Sequence, residues 1–264
     1  MAKDKTYFVS DMHFGSDVFG SSAAREKRFV RWLDSIQAEV KTLYLLGDIF
    51  DFWFEYKTAV PRGFTRFLGK IAEMSDAGTE IHYFTGNHDI WVHDYLPMET
   101  GVILHKEPFV TRISGKTFYL AHGDGLGDES FPFKLIRRIF HNRLCRKLFS
   151  MIHPTVGIGL AHMWAKSSRM KELAHPSPYF GEHKEHLVLY AKSYIQVHPD
   201  IDYLIFGHRH ILLDLMLSKK SRMMIIGDWL QYFSYAVFDG KDLALEQFYP
   251  PTPTGQVQSA ACGT

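Results

Sequence analysis

The stretch Thr42–Trp53, "TLYLLGDIFDFW", runs a short apolar segment into Gly47-Asp48 and sets a second carboxylate, Asp51, three residues further on. An apolar, β-branched or aromatic run that stops abruptly at a polar cluster reads as a buried strand. Four other segments have the same form: "TYFVS" before Asp11, "EIHYFT" before Gly86, "TFYLA" before His122 and "YLIF" before Gly207. Between the first three lie the helical patterns "SAAREKRFVRWLDSIQAEV" and "FTRFLGKIAEMSDAG", the second ending on a glycine suited to a C-cap. Strands alternating with helices predict an α/β fold. Toward the C-terminus, "RMMIIGDWLQYFSYAVFDGKDLALEQF" reads as successive strands with Asp239-Gly240 as a hairpin turn.

Composition sets the bounds. The chain has 264 residues, 46% hydrophobic and 22% charged, which suits one large domain with an insertion. We expect that domain over residues 1–249, a helical insertion at about 128–190, and a flexible tail at 250–264, "PPTPTGQVQSAACGT". The two cysteines, Cys145 and Cys262, lie far apart and outside any metal-ligand spacing, so a reducing cytoplasm is expected. The first residues lack a secretory signal, and no apolar run reaches the roughly 18 residues of a membrane span. The net charge of +1 hides a segregation: Ser130–Lys171 holds nine Lys or Arg and no acid, leaving 21 basic against 29 acidic residues elsewhere.

Each strand end carries a polar cluster: Asp11 and His13; Asp48 and Asp51; Asn87, His88 and Asp89; His122 and Asp124; His208 and His210. In an open α/β sheet, ligands bind beyond the carboxyl ends of the strands, so these clusters should converge on one crevice. Oxygen and imidazole donors without thiolates suit Mn²⁺ best, with Fe²⁺ or Zn²⁺ as alternatives. These clusters hold more donors than one such ion needs, and a bridging carboxylate would complete two coordination spheres, the arrangement used for attack at phosphorus. His183 and His186, flanked by glutamates, read instead as a solvated helix face.

The series Asp-x-His, Gly-Asp-x-x-Asp, Gly-Asn-His-Asp, His-Gly-Asp and Gly-His-x-His, from Asp11 to His210, resembles the calcineurin-like metallophosphoesterases. The resemblance implies a central β-sandwich flanked by helices, in four α/β/β/α layers, and a site for two divalent metal ions. Asp11, His13 and His210 would hold one ion; Asn87, His122 and His208 would hold the other; Asp48 would bridge them. His88 would face the phosphate, oriented by Asp51, while Asp89 and Asp124 would support the ligands. The segment "GDIFDFW", the insertion after "HGD" and the later "IIGDW" are similar to the UDP-2,3-diacylglucosamine hydrolases of lipid A biosynthesis. That family cleaves a pyrophosphate to UMP and 2,3-diacylglucosamine 1-phosphate. Many of its members carry Arg at the position of His88 and Glu at that of Asp51. Either pair sets a cation beside phosphate, and a His can in addition protonate a poorer leaving group.

Within the insertion, Phe131–Phe149, "FPFKLIRRIFHNRLCRKLF", reads as one basic amphipathic helix. Leu135, Ile136, Ile139, Phe140, Leu144 and Leu148 form a stripe, with Arg137 and Arg138 among the basic residues off it. Such a helix suits an anionic membrane surface and, as a lid, an acylated substrate. Arg137, Arg138, Lys166, Ser167 and Arg169 are the lid candidates for substrate contact, and Trp53 the candidate for the uridine or sugar side. A lipid-linked UDP-sugar is the expected partner, nucleic acid is not, and the expected location is the inner face of the bacterial inner membrane. Another nucleotide or phospholipid ester is an alternative substrate, and a non-catalytic scaffold of the same fold an alternative function.

Overall fold

The structure, a computed structural model, describes residues 3–127, 138–174 and 178–249. The expected tail and Arg137 lie outside the described residues. The five strands read from the sequence form β1 (Lys5–Val9), β2 (Val40–Leu46), β3 (Glu80–Phe84), β6 (Lys116–Leu120) and β7 (Tyr203–Phe206). Each is buried along nearly its whole length, because each sheet is covered on both faces. Strands β4 (Ile103–His105), β5 (Phe109–Ile113) and β8 (Leu212–Met216) complete the sheet edges, and β9 (Arg222–Ile226), β10 (Ser234–Phe238) and β11 (Leu243–Gln247) follow in sequence.

One sheet has the order β11-β10-β1-β2-β3-β4, the other β5-β6-β7-β9-β8. Strands β1 to β4 pair in parallel, as do β6, β7 and β9, so each sheet gathers its carboxyl ends along one edge. Phe8, Leu46, Phe84, Phe118, Leu120, Ile205, Met224 and Phe238 fill the space between the sheets.

Helices α1 (Ser22–Ile36) and α2 (Thr65–Asp76) cover the outer face of the first sheet. Ser21 caps α1 by accepting from the Ala24 N–H, and Phe29, Trp32, Leu33 and Ile36 supply its buried stripe. Phe64 precedes α2 at φ 60° and offers no cap; the buried Glu26 carboxylate accepts from the Arg66 and Phe67 N–H groups instead, at 3.0 Å each. A short helix α3 (Tyr95–Thr100) leads into β4. Between β6 and the second sheet's outer helix α6 (His186–Val197) lie α4 (Arg143–Ser150) and α5 (Pro154–Ala174). Helix, sheet, sheet and helix therefore stack in the four layers expected.

The expected single helix across Phe131–Phe149 is corrected. Residues 131–137, with Leu135 and Ile136 of the expected stripe, lie outside the described residues; within 138–149, Asn142 accepts from the Leu144 and Cys145 N–H groups and starts α4 afresh. Phe140 and Phe149 pack against Phe52, Phe54 and Trp91, whereas Leu144 and Leu148 stand 64% and 56% exposed.

The inter-sheet layer turns on Phe118, whose ring lies 4.8 Å from Tyr203, 5.1 Å from Phe238 and 5.6 Å from Phe8. Truncation leaves a cavity that three rings cannot close together. Phe118→Ala should lower the unfolding free energy by about 3–5 kcal/mol, read from urea titrations.

Candidate metal centre

The loops that leave β1, β2, β6, β7 and β9 are tied to one another by backbone hydrogen bonds. Asp11 N–H donates to the Gly47 carbonyl at 3.1 Å, His13 N–H to Asp48 at 3.0 Å, Gly207 N–H to His122 at 2.9 Å and Trp229 N–H to Asp11 at 3.0 Å. This packing requires backbone to touch carboxylate. A Cβ at Gly86 would stand 2.2 Å from Asp48 Oδ1, and one at Gly207 2.0 Å from Ser10 Oγ and 2.5 Å from Asp11 Oδ2. Eight non-glycine residues have positive φ among the described residues, and five are Asp11 (59°), His13 (46°), Asp48 (52°), His208 (67°) and His210 (49°). Left-handed backbone at side chains of this kind is strain held in place by its surroundings.

The result is two overlapping groups of donors, Asp11-His13-His210 and Asp11-Asp48-His122, with His13-Asp51-His88 beside them. Within each group the ligand atoms lie within 4.8 Å of one another. Asp48 Oδ2 stands 3.7 Å from His13 Nε2 and 3.4 Å from His122 Nε2, between the two groups. His208 stands against His122, ring centroids 5.1 Å apart, and its N–H donates to Asp11 Oδ2 at 2.9 Å. Asn87 Oδ1 and Asp11 Oδ1 are buried and have no hydrogen-bond partner.

These contacts fit a divalent cation. His122 Nδ1 donates to the Leu46 carbonyl at 2.8 Å, which turns the lone pair of Nε2 toward the Asp48 carboxylate. A lone pair facing an anion in a buried place requires a proton or a metal between them. The electrostatics give the same picture. Burial disfavours ionisation of Asp48, yet His122, His88 and His13 outweigh it and hold the carboxyl well below its usual range. Burial disfavours a charged His122, and Asp48 with Asp11 drives it the other way, well above the usual imidazole. Burial and Arg169 hold His13 well below that value, and burial and His122 do the same to His208. The centre thus sets carboxylate oxygens beside imidazoles, of which His13 and His208 are kept neutral, a donor set for a hard or borderline divalent ion.

Several groups support these donors. Asp228 accepts from the Leu230, Gln231 and Tyr232 N–H groups through one oxygen, and the other lies 3.2 Å from His210 Nδ1. Its signal in the sequence was "IIGD", the same strand-Gly-Asp form as "YLLGD". Arg25, buried on α1, donates to the carbonyls of Met12, His13 and Ser16 and fixes the first loop. Asp89 accepts from Tyr83 Oη and the Ile49 and Gly86 N–H groups; burial and the nearby Asp48 push its carboxyl up to about 6.

The remaining candidates divide. His88 Nδ1 donates to the backbone carbonyl of Asp51 at 2.9 Å, while the Asp51 carboxylate is 3.8 Å away. The expected orientation of His88 by that carboxylate is therefore corrected: the carbonyl holds the ring. The carboxylate instead meets Arg169 Nε at 3.3 Å. Arg169, on α5, reaches into the centre, its Nη2 contacting His13 and lying 3.1 Å from His88 Nε2. Lys166 and Ser167 point outward on the same helix, and Arg138 is exposed. Trp53 is also corrected: it is fully buried in the core against Phe50 and Phe64.

Beside the centre lies a cavity of about 410 Å³. Phe52, Trp91, Phe140, Phe149, Leu160 and Trp164 form its apolar walls, and Asp51, Asn87, His88, Asp124 and Ser168 its polar end. Ala161 and Ala165 leave the room for it on α5.

Asp48→Asn should abolish tight binding of both ions, measured by metal analysis after gel filtration and by calorimetric titration with Mn²⁺. Asp228→Asn should weaken binding about 10–100-fold while leaving the stoichiometry at two, as loss of a group that orients a ligand does.

Residues 5–212 match the family model described as calcineurin-like phosphoesterase. The UDP-2,3-diacylglucosamine hydrolase of Porphyromonas gingivalis is 44% identical, over 92% of this chain and 97% of its own. That of Aeromonas salmonicida is 26% identical, over 96% and 98%. Among solved structures, the phosphoesterase Yfce from E. coli aligns with TM-score 0.45 at 15% identity, covering 92% of each chain. A family match that begins at β1 and ends at β8 takes in all the strand-end clusters, and the chain belongs to the calcineurin-like phosphoesterase family of hydrolases.

Proposed function

We propose that this protein hydrolyses the pyrophosphate of UDP-2,3-diacylglucosamine, releasing UMP and 2,3-diacylglucosamine 1-phosphate. The observation that carries the reading is the cavity: an apolar chamber whose polar end is formed by Asn87, His88 and Asp51 of the donor cluster. A substrate that is part diphosphate and part acyl chain needs those two environments in contact. A soluble nucleotide needs only the first. The 44% identity to the Porphyromonas gingivalis hydrolase supports the same substrate.

Asp11, His13 and His210 would hold one divalent ion and Asn87, His122 and His208 the other, with Asp48 shared; Mn²⁺ suits the donors best. Two such ions, when bound, polarise phosphoryl oxygens and lower the pKa of water. The protein supplies the rest. The Asp51 carbonyl fixes the His88 tautomer, so that Nε2 faces the centre as the group nearest the phosphate. Arg169, anchored on Asp51, brings a guanidinium to the same point from α5, suited to two phosphate oxygens. The aromatic walls exclude water around the scissile group, where charge interactions are then stronger.

The helices α4 and α5 act in this reading as the lid over residues 128–190. They also suit a membrane surface: Leu144, Leu148, Met151, Val156, Met163 and Trp164 are all more than half exposed, beside the exposed Arg143 and Lys147. No helix among the described residues is long and apolar enough to cross a membrane. Peripheral attachment to the cytoplasmic face of the inner membrane follows from that surface and from the lipid substrate.

The decisive experiment compares turnover of UDP-2,3-diacylglucosamine and of a water-soluble phosphodiester with Mn²⁺ present, products identified by mass. UMP and the lipid monophosphate should form far faster than the soluble ester is cleaved. Cleavage of the soluble ester alone would overturn the substrate assignment and leave the metal chemistry. Filling the chamber separates the two further: Ala165→Trp should lower kcat/KM for the diacylated substrate at least about 10-fold and change soluble-ester hydrolysis less than about 2-fold.

A further inference from the structure

Away from the centre and the chamber, three basic side chains from three elements meet. Lys106 follows β4, His93 precedes α3 and Arg146 lies on α4. Lys106 Nζ is 2.6 Å from His93 Nδ1, and Arg146 Nη1 is 2.8 Å from His93 Nε2. A neutral imidazole offers one lone pair and one N–H, whereas ammonium and guanidinium groups only donate. One of the two contacts therefore sets donor against donor, and protonating the ring would make both so. Donors exceed acceptors whichever tautomer is drawn.

The surrounding acids do not correct the imbalance. Glu55 faces the cluster, but its oxygens accept from Trp53 Nε1 and from the N–H groups of His93, Asp94 and Tyr95. Asp94 is exposed and acts on His93 and Lys106 only through space. The titration behaviour agrees: burial, then Lys106 and Arg146, bring His93 down to about 4, and burial with Arg146 lowers Lys106. Glu55 and Asp94 act on Lys106 in the opposite sense, each less than Arg146 does, so the repulsion among the three basic groups is only partly offset.

We propose that Lys106, His93 and Arg146 form a binding site for a phosphate-type anion, a phosphomonoester or phosphodiester group. Its oxygens would accept from Nζ, the guanidinium and the imidazole N–H together, satisfying each donor and balancing two fixed positive charges. None of the three residues lines the chamber or belongs to the donor clusters, so the site is separate from the hydrolytic one and does not rest on its substrate. Because Arg146 comes from α4 and the other two from the sheet side, the anion would also fasten α4 to the domain. Two sources supply such a group: free phosphate, and the headgroup of an anionic lipid presented next to the exposed Leu144 and Leu148.

The test uses the full-length, zinc-loaded protein and follows the His93 ring by ¹H–¹³C NMR, assigned with His93→Gln. Inorganic phosphate should shift the resonance saturably and raise the pKa of the ring, with chloride at equal ionic strength as the reference. Lys106→Gln and Arg146→Gln should weaken this binding about 10-fold each, as loss of a charge-assisted bond does, without lowering the unfolding midpoint. Flotation with phosphatidylcholine vesicles, with and without about 20 mol% phosphatidic acid, separates the sources. Flotation lost in Arg146→Gln but kept in Lys147→Gln, which removes the same charge outside the site, identifies the headgroup. Phosphate binding with flotation indifferent to both variants identifies free phosphate. The proposal is overturned if phosphate shifts His93 no more than chloride does, or shifts it equally in the two site variants.

Discussion

The close approach of backbone to the buried carboxylates of Asp11 and Asp48 is the constraint on which the remaining geometry depends. Gly86, after β3, meets the Asp48 carboxylate that follows the neighbouring strand β2 of the same sheet, and Gly207, after β7 of the second sheet, meets the Asp11 carboxylate that follows β1 of the first. The Gly207 contact leaves no room for a side chain between the two sheets at their carboxyl edge. Elsewhere they are held apart by Phe118, Phe8 and Phe238. Close contact at one edge and aromatic spacers behind it make a wedge-shaped interlayer, and the donor cluster occupies the narrow end. Replacing either glycine would move a whole strand end and several ligands with it.

Holding Asp11, His13, Asp48, His208 and His210 at positive φ costs free energy, of order 1–3 kcal/mol for each in such surroundings. The fold offsets this with the hydrogen bonds that cross from loop to loop and with Arg25, which satisfies three carbonyls of the first loop at once. The same carbonyls could not turn to water without undoing the placement of His13. Support of the ligands is thus mostly backbone-directed, from Asp228 and Asp89 as much as from Arg25. Side chains that accept two or three N–H bonds are fixed in one rotamer, and a ligand resting on them inherits that rigidity.

What could be read from the sequence follows from the same physics. Strands β1, β2, β3, β6 and β7 are buried on both faces and so appear as unbroken apolar runs. Edge strands β5 and β8 alternate half-buried and exposed residues over only five positions, too short a pattern to separate from a loop. The donor residues were legible because each follows a strand of the first kind. Their helpers were less so: Asp228 repeats the strand-Gly-Asp form, but nothing local marks it as the partner of His210. Helix phase explains the lid. In α5, Ala161, Ala165 and Arg169 recur every fourth residue and face inward, so Lys166 and Ser167 fall on the outer side and Ser168 on the chamber. No periodicity tells which face of such a helix looks inward until its neighbours are known.

The segment Asp48–Trp53 shows how one short run serves three environments. Asp48 and Asp51 turn to the metal donors, Ile49, Phe50 and Trp53 enter the core of the first sheet, and Phe52 enters the apolar wall of the chamber, whose polar end Asp51 borders. The backbone of the segment is held in place: Asp51 N–H is bonded to the Phe14 carbonyl and the Asp51 carbonyl to His88. Because Phe52 of the aromatic wall and the Asp48 carboxylate lie on one segment, this part of the apolar surface is fixed with respect to the charged centre. A phosphoryl group bound at that centre is therefore placed at a set distance from apolar ground, and a substrate with an acyl chain can use the binding of the chain to orient the phosphate.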